Sequence, residues 1–144
     1  TTTHENGPLK CLEETHFDIV IIDECSQALE AACWIPILSG APRKVILAGD
    51  HLQLPPTIIS KEAAQKGLDV TLMKRLIDSL GNECTKMLTI QYRMNKLINN
   101  WISDQLYESK LVADKSVADH LLYELSGVDK NDTTSQAIIL IDTD

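Results

Sequence analysis

Short apolar runs that stop at polar clusters set the pattern of this chain. Phe17-Asp18-Ile19-Val20-Ile21-Ile22 is almost wholly apolar and stops at Asp23-Glu24. Such a β-branched run predicts a parallel strand covered on both faces. Lys44-Val45-Ile46-Leu47-Ala48 predicts a second strand, ending in Gly49-Asp50. Thr85-Lys86-Met87-Leu88-Thr89-Ile90 predicts a third, ending in Gln91-Tyr92-Arg93, and Ala137-Ile138-Ile139-Leu140-Ile141 a fourth, ending in Asp142.

Between these runs the period becomes helical. Ser26 is placed to cap a helix through Trp34, which Pro36 should end soon after. Ser60 to Gly67 reads as a short capped helix. Asp69 is placed to cap a stronger one, with Leu72, Met73, Leu76, Ile77 and Leu80 on one face and Gly81-Asn82 as its stop. Asn95 is placed to cap an amphipathic helix whose Leu97, Ile98, Trp101, Ile102 and Leu106 form one stripe. Ser116 with Asp119 resembles a capping box ahead of Leu121, Leu122 and Leu125. Residues 1–15 are polar and turn-rich around Asn6-Gly7-Pro8. Strands alternating with helices predict an α/β fold with a mostly parallel sheet.

At 144 residues the chain has room for one ordinary domain or parts of two. Its 44% hydrophobic and 24% charged residues exclude a disordered chain. No apolar run approaches the length needed to cross a bilayer, so no membrane partner is expected. Thr1-Thr2-Thr3-His4 is neither an initiator nor a signal peptide, and the chain reads as a piece of something longer. The net charge is −8, with no basic stripe, and aromatics are only 4%. That balance argues against this piece gripping nucleic acid by itself. Cys11, Cys25, Cys33 and Cys84 form no Cys-x-x-Cys pair. They are expected to be reduced thiols rather than zinc ligands or disulfides, with Cys25 and Cys33 as small packing residues.

Three polar clusters therefore fall at three strand ends: Asp23-Glu24, Asp50 through Gln53, and Gln91 through Arg93. In parallel α/β sheets, ligands bind at the carboxyl ends of strands. Adjacent carboxylates after a buried strand form the Walker B arrangement, one for Mg²⁺ and one for the attacking water. Asp-Glu alone is equally what a solvated strand terminus looks like. Gly49 would let backbone approach a ligand closely. Gln53 offers a donor and an acceptor, suited to a phosphate oxygen and an attacking water. Its surroundings are also those of an ordinary turn, and His51 alone reads as a surface histidine. Arg93 could clamp a transferring phosphoryl group and Tyr92 could stack on a nucleobase, though an arginine there also suits a surface ion pair.

Taken together, Asp23-Glu24-Cys25-Ser26-Gln27-Ala28-Leu29-Glu30, Gly49-Asp50-His51-Leu52-Gln53-Leu54-Pro55-Pro56 and Gln91-Tyr92-Arg93-Met94 resemble motifs II, III and IV of superfamily one helicases of the Upf-like group. Order and separation match as well. Cys33-Trp34-Ile35-Pro36 and Ser116-Val117-Ala118-Asp119-His120-Leu121-Leu122 support the likeness, which runs from about Gly7 to Asp142.

The resemblance implies a RecA-like P-loop NTPase fold, incomplete here. Residues 1–90 would be the C-terminal half of a first motor domain and 91–144 the start of a second, with the boundary near Ile90–Asn95. It implies ATP and Mg²⁺ as cofactors. Asp23 would be the Mg²⁺-linked aspartate, directly or through water, and Glu24 the catalytic base. Gln53 would contact the nucleotide, Tyr92 would stack on adenine, and Arg93 would reach the γ-phosphate. Members of the family are ATP-driven motors that move 5′ to 3′ on single-stranded RNA or DNA and unwind duplexes. By the same likeness the full-length parent would be cytoplasmic and nuclear, with ribosome or RNA-processing partners.

Leu52 departs from the lysine usual in close relatives, which bears on a polar contact near nucleic acid rather than on ATP chemistry. No Gly-x-x-x-x-Gly-Lys-Ser/Thr occurs in these residues, so the 144 residues alone are expected not to hydrolyse ATP. Two alternatives stay open. One is a degenerate RecA-like module that holds partners without turnover. The other is a nucleic-acid-stimulated remodelling ATPase that does not unwind.

Overall fold

The computed structural model of the protein describes residues 16–143. The turn-rich segment 1–15 and Cys11 lie outside them. The described residues fall into two compact units, divided between Thr85 and Lys86.

In the first unit, β1 (Ile19–Ile22) and β2 (Lys44–Leu47) pair in parallel, with Ile19 opposite Lys44 and Ile22 opposite Leu47. The connection is a 3₁₀ turn, Cys25–Gln27, followed by α1 (Glu30–Gly40). A helical crossover is what a parallel pair requires. β1 is not covered on both faces among the described residues. Val20 and Ile22 are half-buried, whereas Ile19 and Ile21 are 49% and 65% exposed. Phe17 and Val20 approach the end of α1. A Cβ on Gly40 would lie 3.4 Å from Phe17 Cδ2 and 3.5 Å from Val20 Cγ2, and the Phe17 N–H donates to the Gly40 carbonyl at 3.3 Å.

Helix α1 differs from expectation at both ends. It starts after Leu29 rather than at Ser26, and it continues through Pro36 to Gly40. Proline costs the helix its bond to the Ala32 carbonyl. Continuing past it carries Gly40 to its buried place against β1.

Ser60 caps α2 (Lys61–Ala63) as expected, its Oγ accepting from the Ala63 N–H at 3.2 Å, and a π-turn follows over Ala64–Leu68. The cap of α3 (Leu72–Leu80) is Thr71, not Asp69. Thr71 is extended, and its Oγ1 accepts from the Lys74 N–H at 3.1 Å, while Asp69 is still helical at the end of the π-turn. Gly81, at φ 58, ends α3. Arg75 donates two bonds to the Glu30 carboxylate, at 2.9 and 2.6 Å, and Trp34 Nε1 adds a third at 3.1 Å. These bonds, Arg75 first, hold the Glu30 carboxyl below the usual carboxylate range. Leu72 is buried, and the Cys25 thiol meets Met73 Sδ at 3.6 Å.

In the second unit, the third expected strand shrinks to β3 (Ile90–Gln91), which pairs in parallel with β4 (Val112–Ala113). The segment 137–141 makes no ladder, and Leu140 and Ile141 are 94% and 77% exposed. A strand is defined by its partner, and these apolar runs find little or none among the described residues.

Asn95 caps α4 (Lys96–Leu106) as expected, its Oδ1 accepting from the Leu97 N–H at 2.9 Å. The buried face is another matter. Leu97, Trp101 and Leu106 are exposed, while Asn95, Asn99 and Ser103, on one i, i+4, i+8 row, are buried. Asn99 Nδ2 donates to the Leu111 carbonyl, and Ser103 Oγ accepts from the Leu111 N–H, both at 2.9 Å. The polar row satisfies the backbone leading into β4, and that decides which face turns inward. Ser116 caps no helix. Its N–H and Oγ both donate to Asp114, at 2.9 and 2.7 Å, and Asp119 pairs with Lys96 at 2.7 Å. Local side-chain bonds of this kind compete with helix formation. Only a 3₁₀ turn, Leu122–Glu124, follows.

Candidate functional site

The ends of β1 and β2 are stitched side by side. The Ala48 N–H donates to the Ile22 carbonyl at 2.8 Å, and the Cys25 N–H returns to the Ala48 carbonyl at 3.0 Å. Asp23-Glu24 and Asp50 through Gln53 therefore leave the sheet at one edge.

Both carboxylates are exposed. Asp23 Oδ1 accepts from the Glu24 N–H at 3.0 Å, and Gln27 Nε2 donates to Glu24 Oε2 at 3.1 Å. Glu24 sits in the left-handed region, at φ 51 and ψ 34. That kink turns the chain out of β1 and aims successive carboxylates differently. Cys25 and Cys33 are buried beneath, and burial pushes both thiols up, so they pack rather than react.

Gly49 serves this junction rather than a ligand directly. A Cβ there would come within 3.1 Å of the Ser26 nitrogen and 3.2 Å of the Cys25 nitrogen. Backbone atoms cannot rotate aside, so Gly49→Val is expected to lower stability by about 1–3 kcal/mol, and Gly49→Ala by less. Thermal melts measure this. A valine variant melting with the wild type would mean the two loops do not meet as described.

Buried Ser26 links the loops through its Oγ, which accepts from the Asp50 N–H at 3.3 Å. Asp50 in turn accepts from the Leu52 N–H at 3.0 Å and from Gln53 Nε2 at 2.6 Å. A carboxylate only accepts here, so the orientation of the Gln53 amide is fixed by its partner. His51 is exposed, as expected of a surface histidine.

In the second unit, Tyr92 and Arg93 project from the turn between β3 and α4. Tyr92 is 66% exposed, and Arg93 is exposed too. The Gln91 side chain closes this turn. Its Oε1 accepts from the N–H groups of Arg93 at 2.7 Å and Met94 at 2.9 Å, and its Nε2 donates to the Met94 carbonyl at 2.8 Å.

The structure thus brings Asp23, Glu24 and Gln53 to one edge of the first unit, and Tyr92 and Arg93 to one turn of the second. Sequence reasoning gave Ser26 only the role of a helix cap, and gave Gln27 and Asp50 none of their own. The Asp50-to-Leu52 spacing of an Asx turn was the available signal for the last. Among the described residues no three His, Cys, Asp or Glu side chains converge as a metal cage. Asp23 and Glu24 nevertheless fit Mg²⁺, which takes one or two carboxylates and completes its shell with water and phosphate oxygens.

Two family models, each described as an AAA domain, match residues 1–61 and 68–144. The chain belongs to this AAA-domain family, as found in helicases of the Upf-like group. It is 54% identical over 143 residues to DNA-binding protein SMUBP-2 of Mesocricetus auratus, covering 99% of this chain and 14% of that protein. It is 45% identical over 142 residues to DNA polymerase alpha-associated DNA helicase A of Schizosaccharomyces pombe, covering 99% and 20%. Against ATP-dependent helicase NAM7 of Saccharomyces cerevisiae it is 47% identical over 98 residues, covering 68% and 10%. The chain spans a fifth or less of each of these relatives. Its parallel strands with a helical crossover fit an α/β, P-loop-NTPase-like fold.

Proposed function

We propose that these residues are part of an ATP-dependent helicase that moves 5′ to 3′ on single-stranded RNA or DNA. The first unit belongs to the first RecA-like motor domain, and the second unit, which holds β3, begins the second. The observation that carries this reading is the shared edge, where the stitched ends of β1 and β2 hold Asp23-Glu24 beside Asp50 through Gln53.

Asp23 would hold Mg²⁺, directly or through one of its waters, and the bound ion would polarise the γ-phosphoryl group of ATP. Glu24, steadied by Gln27, accepts the proton of the attacking water. Gln53, held by Asp50, meets the nucleotide at the same edge. Tyr92 stacks on adenine, and Arg93 meets charge on the γ-phosphoryl group as it transfers. Cytoplasmic and nuclear location, with ribosome or RNA-processing partners, follows from the same reading.

The full-length protein is the one to assay, for phosphate release with and without single-stranded RNA or DNA and for strand displacement from a duplex with a 5′ overhang. Stimulated turnover with displacement is expected. Turnover without displacement would make it a remodelling ATPase. Nucleic-acid binding with no turnover would leave a degenerate binding module.

A further inference from the structure

The turn carrying Tyr92 and Arg93 is suspended between two pinned ends. On one side, the Gln91 carbonyl accepts from the Asp114 N–H at 2.9 Å, and the Thr89 carbonyl from the Val112 N–H at 2.7 Å. On the other, Asn95 Nδ2 donates to the His120 carbonyl at 3.0 Å, and the Lys96 N–H to the Ala118 carbonyl at 2.9 Å. Between strand and helix cap, the Gln91 side chain spans the turn with three hydrogen bonds. Two backbone N–H groups at one atom and a carbonyl at the other leave its amide only one orientation.

We infer that Gln91 is a positioning residue. It acts as a side-chain brace that sets the direction of Arg93, and with it Tyr92, without touching nucleotide. The inference rests on the reading above that Arg93 meets the γ-phosphoryl group and Tyr92 the base. Half-buried Gln91 points into its own turn, whereas its two neighbours point out. The Arg93 N–H is one of the groups it holds, so losing the brace frees the residue whose placement matters most. Sub-ångström placement has large rate consequences, since a displacement of about 1 Å can cost roughly 10²-fold.

The chemistry of the brace separates its parts. Gln91→Glu keeps an acceptor for both N–H groups, but it loses the bond to the Met94 carbonyl and sets a carboxylate oxygen against that carbonyl. Gln91→Leu keeps the size and loses all three bonds. Gln91→Asn is one methylene short of the turn.

The test is a double-mutant cycle on ATP hydrolysis by the full-length protein at saturating single-stranded RNA. It combines Gln91→Leu, Gln91→Glu, Arg93→Ala and the double variant Gln91→Leu with Arg93→Ala. Gln91→Leu is expected to lower kcat by about 10–100-fold and raise KM for ATP. Gln91→Glu should fall between wild type and Gln91→Leu, as the two acceptor bonds persist while the Met94 carbonyl meets an oxygen in place of a donor. In the Arg93→Ala background, Gln91→Leu should add little further loss, because it acts through the missing guanidinium. If Gln91→Leu does not give a folded protein by thermal melt, Gln91→Asn takes its place in the cycle.

Full additivity, or an unchanged kcat in both Gln91→Leu and Gln91→Asn, would overturn the brace. An Arg93→Ala variant with wild-type kcat would instead sink the reading of Arg93 on which the brace rests, so the two failures are distinct.

Discussion

Arg93→Ala in the full-length protein is expected to lower kcat for ATP by roughly 10³–10⁵-fold, the range for losing an arginine that meets a transferring phosphoryl group. The charge it answers is greatest in the transition state, so the loss should fall on kcat rather than KM. Its neighbour should fail differently. Tyr92 is 66% exposed and available to stack on a base, an interaction present in ground and transition states alike. Tyr92→Ala should therefore raise KM for ATP and change kcat modestly. Steady-state kinetics at saturating RNA and varied ATP decide the matter. Should Arg93→Ala change only KM, or Tyr92→Ala only kcat, the two roles have been assigned wrongly.

The second large effect is expected at Glu24. Glu24→Gln should lower kcat by roughly 10²–10⁴-fold, the usual contribution of a general base. Nucleotide affinity should be nearly unchanged, because glutamine keeps the size of the side chain and its carbonyl can still accept from Gln27 Nε2. Binding of a fluorescent ATP analogue alongside phosphate release separates the two quantities. A variant with near-wild-type kcat would remove Glu24 from the role of base, and one that no longer binds nucleotide would make it a ligand instead.

The strand ends were legible because their signals are local. A β-branched run closing on Asp-Glu announces both the strand and its exposed terminus, and the Asn95 cap announces the start of α4. What depends on a distant partner was not legible. Val112–Ala113 has no strand signature of its own and is a strand because Ile90–Gln91 lies beside it. Residues 137–141 carry a strong signature and make no ladder among the described residues. On α4, hydropathy pointed Leu97 and Trp101 inward. The need to satisfy the Leu111 backbone turned Asn99 and Ser103 inward instead. At the site, residue types announced the carboxylates, the glutamine and the arginine. The supports Ser26, Asp50 and Gln91 were hidden, because their work is done by hydrogen bonds whose partners a sequence does not display.

The left-handed backbone at Glu24 has a consequence for adaptation. Outside glycine, that conformation costs about 1–2 kcal/mol per residue. At position 24 it places the carboxylate assigned to the chemistry. Glycine or asparagine would hold the same kink at lower cost, and neither could accept the proton. Selection for stability and selection for turnover therefore pull this one position in opposite directions. A search for heat-resistant variants would tend to choose the first at the expense of the second. On the proposed role of Glu24, the strand end is where the fold would trade robustness for reactivity, and its compensations lie one step away, in the Ala48 and Cys25 bonds that hold the kink in place.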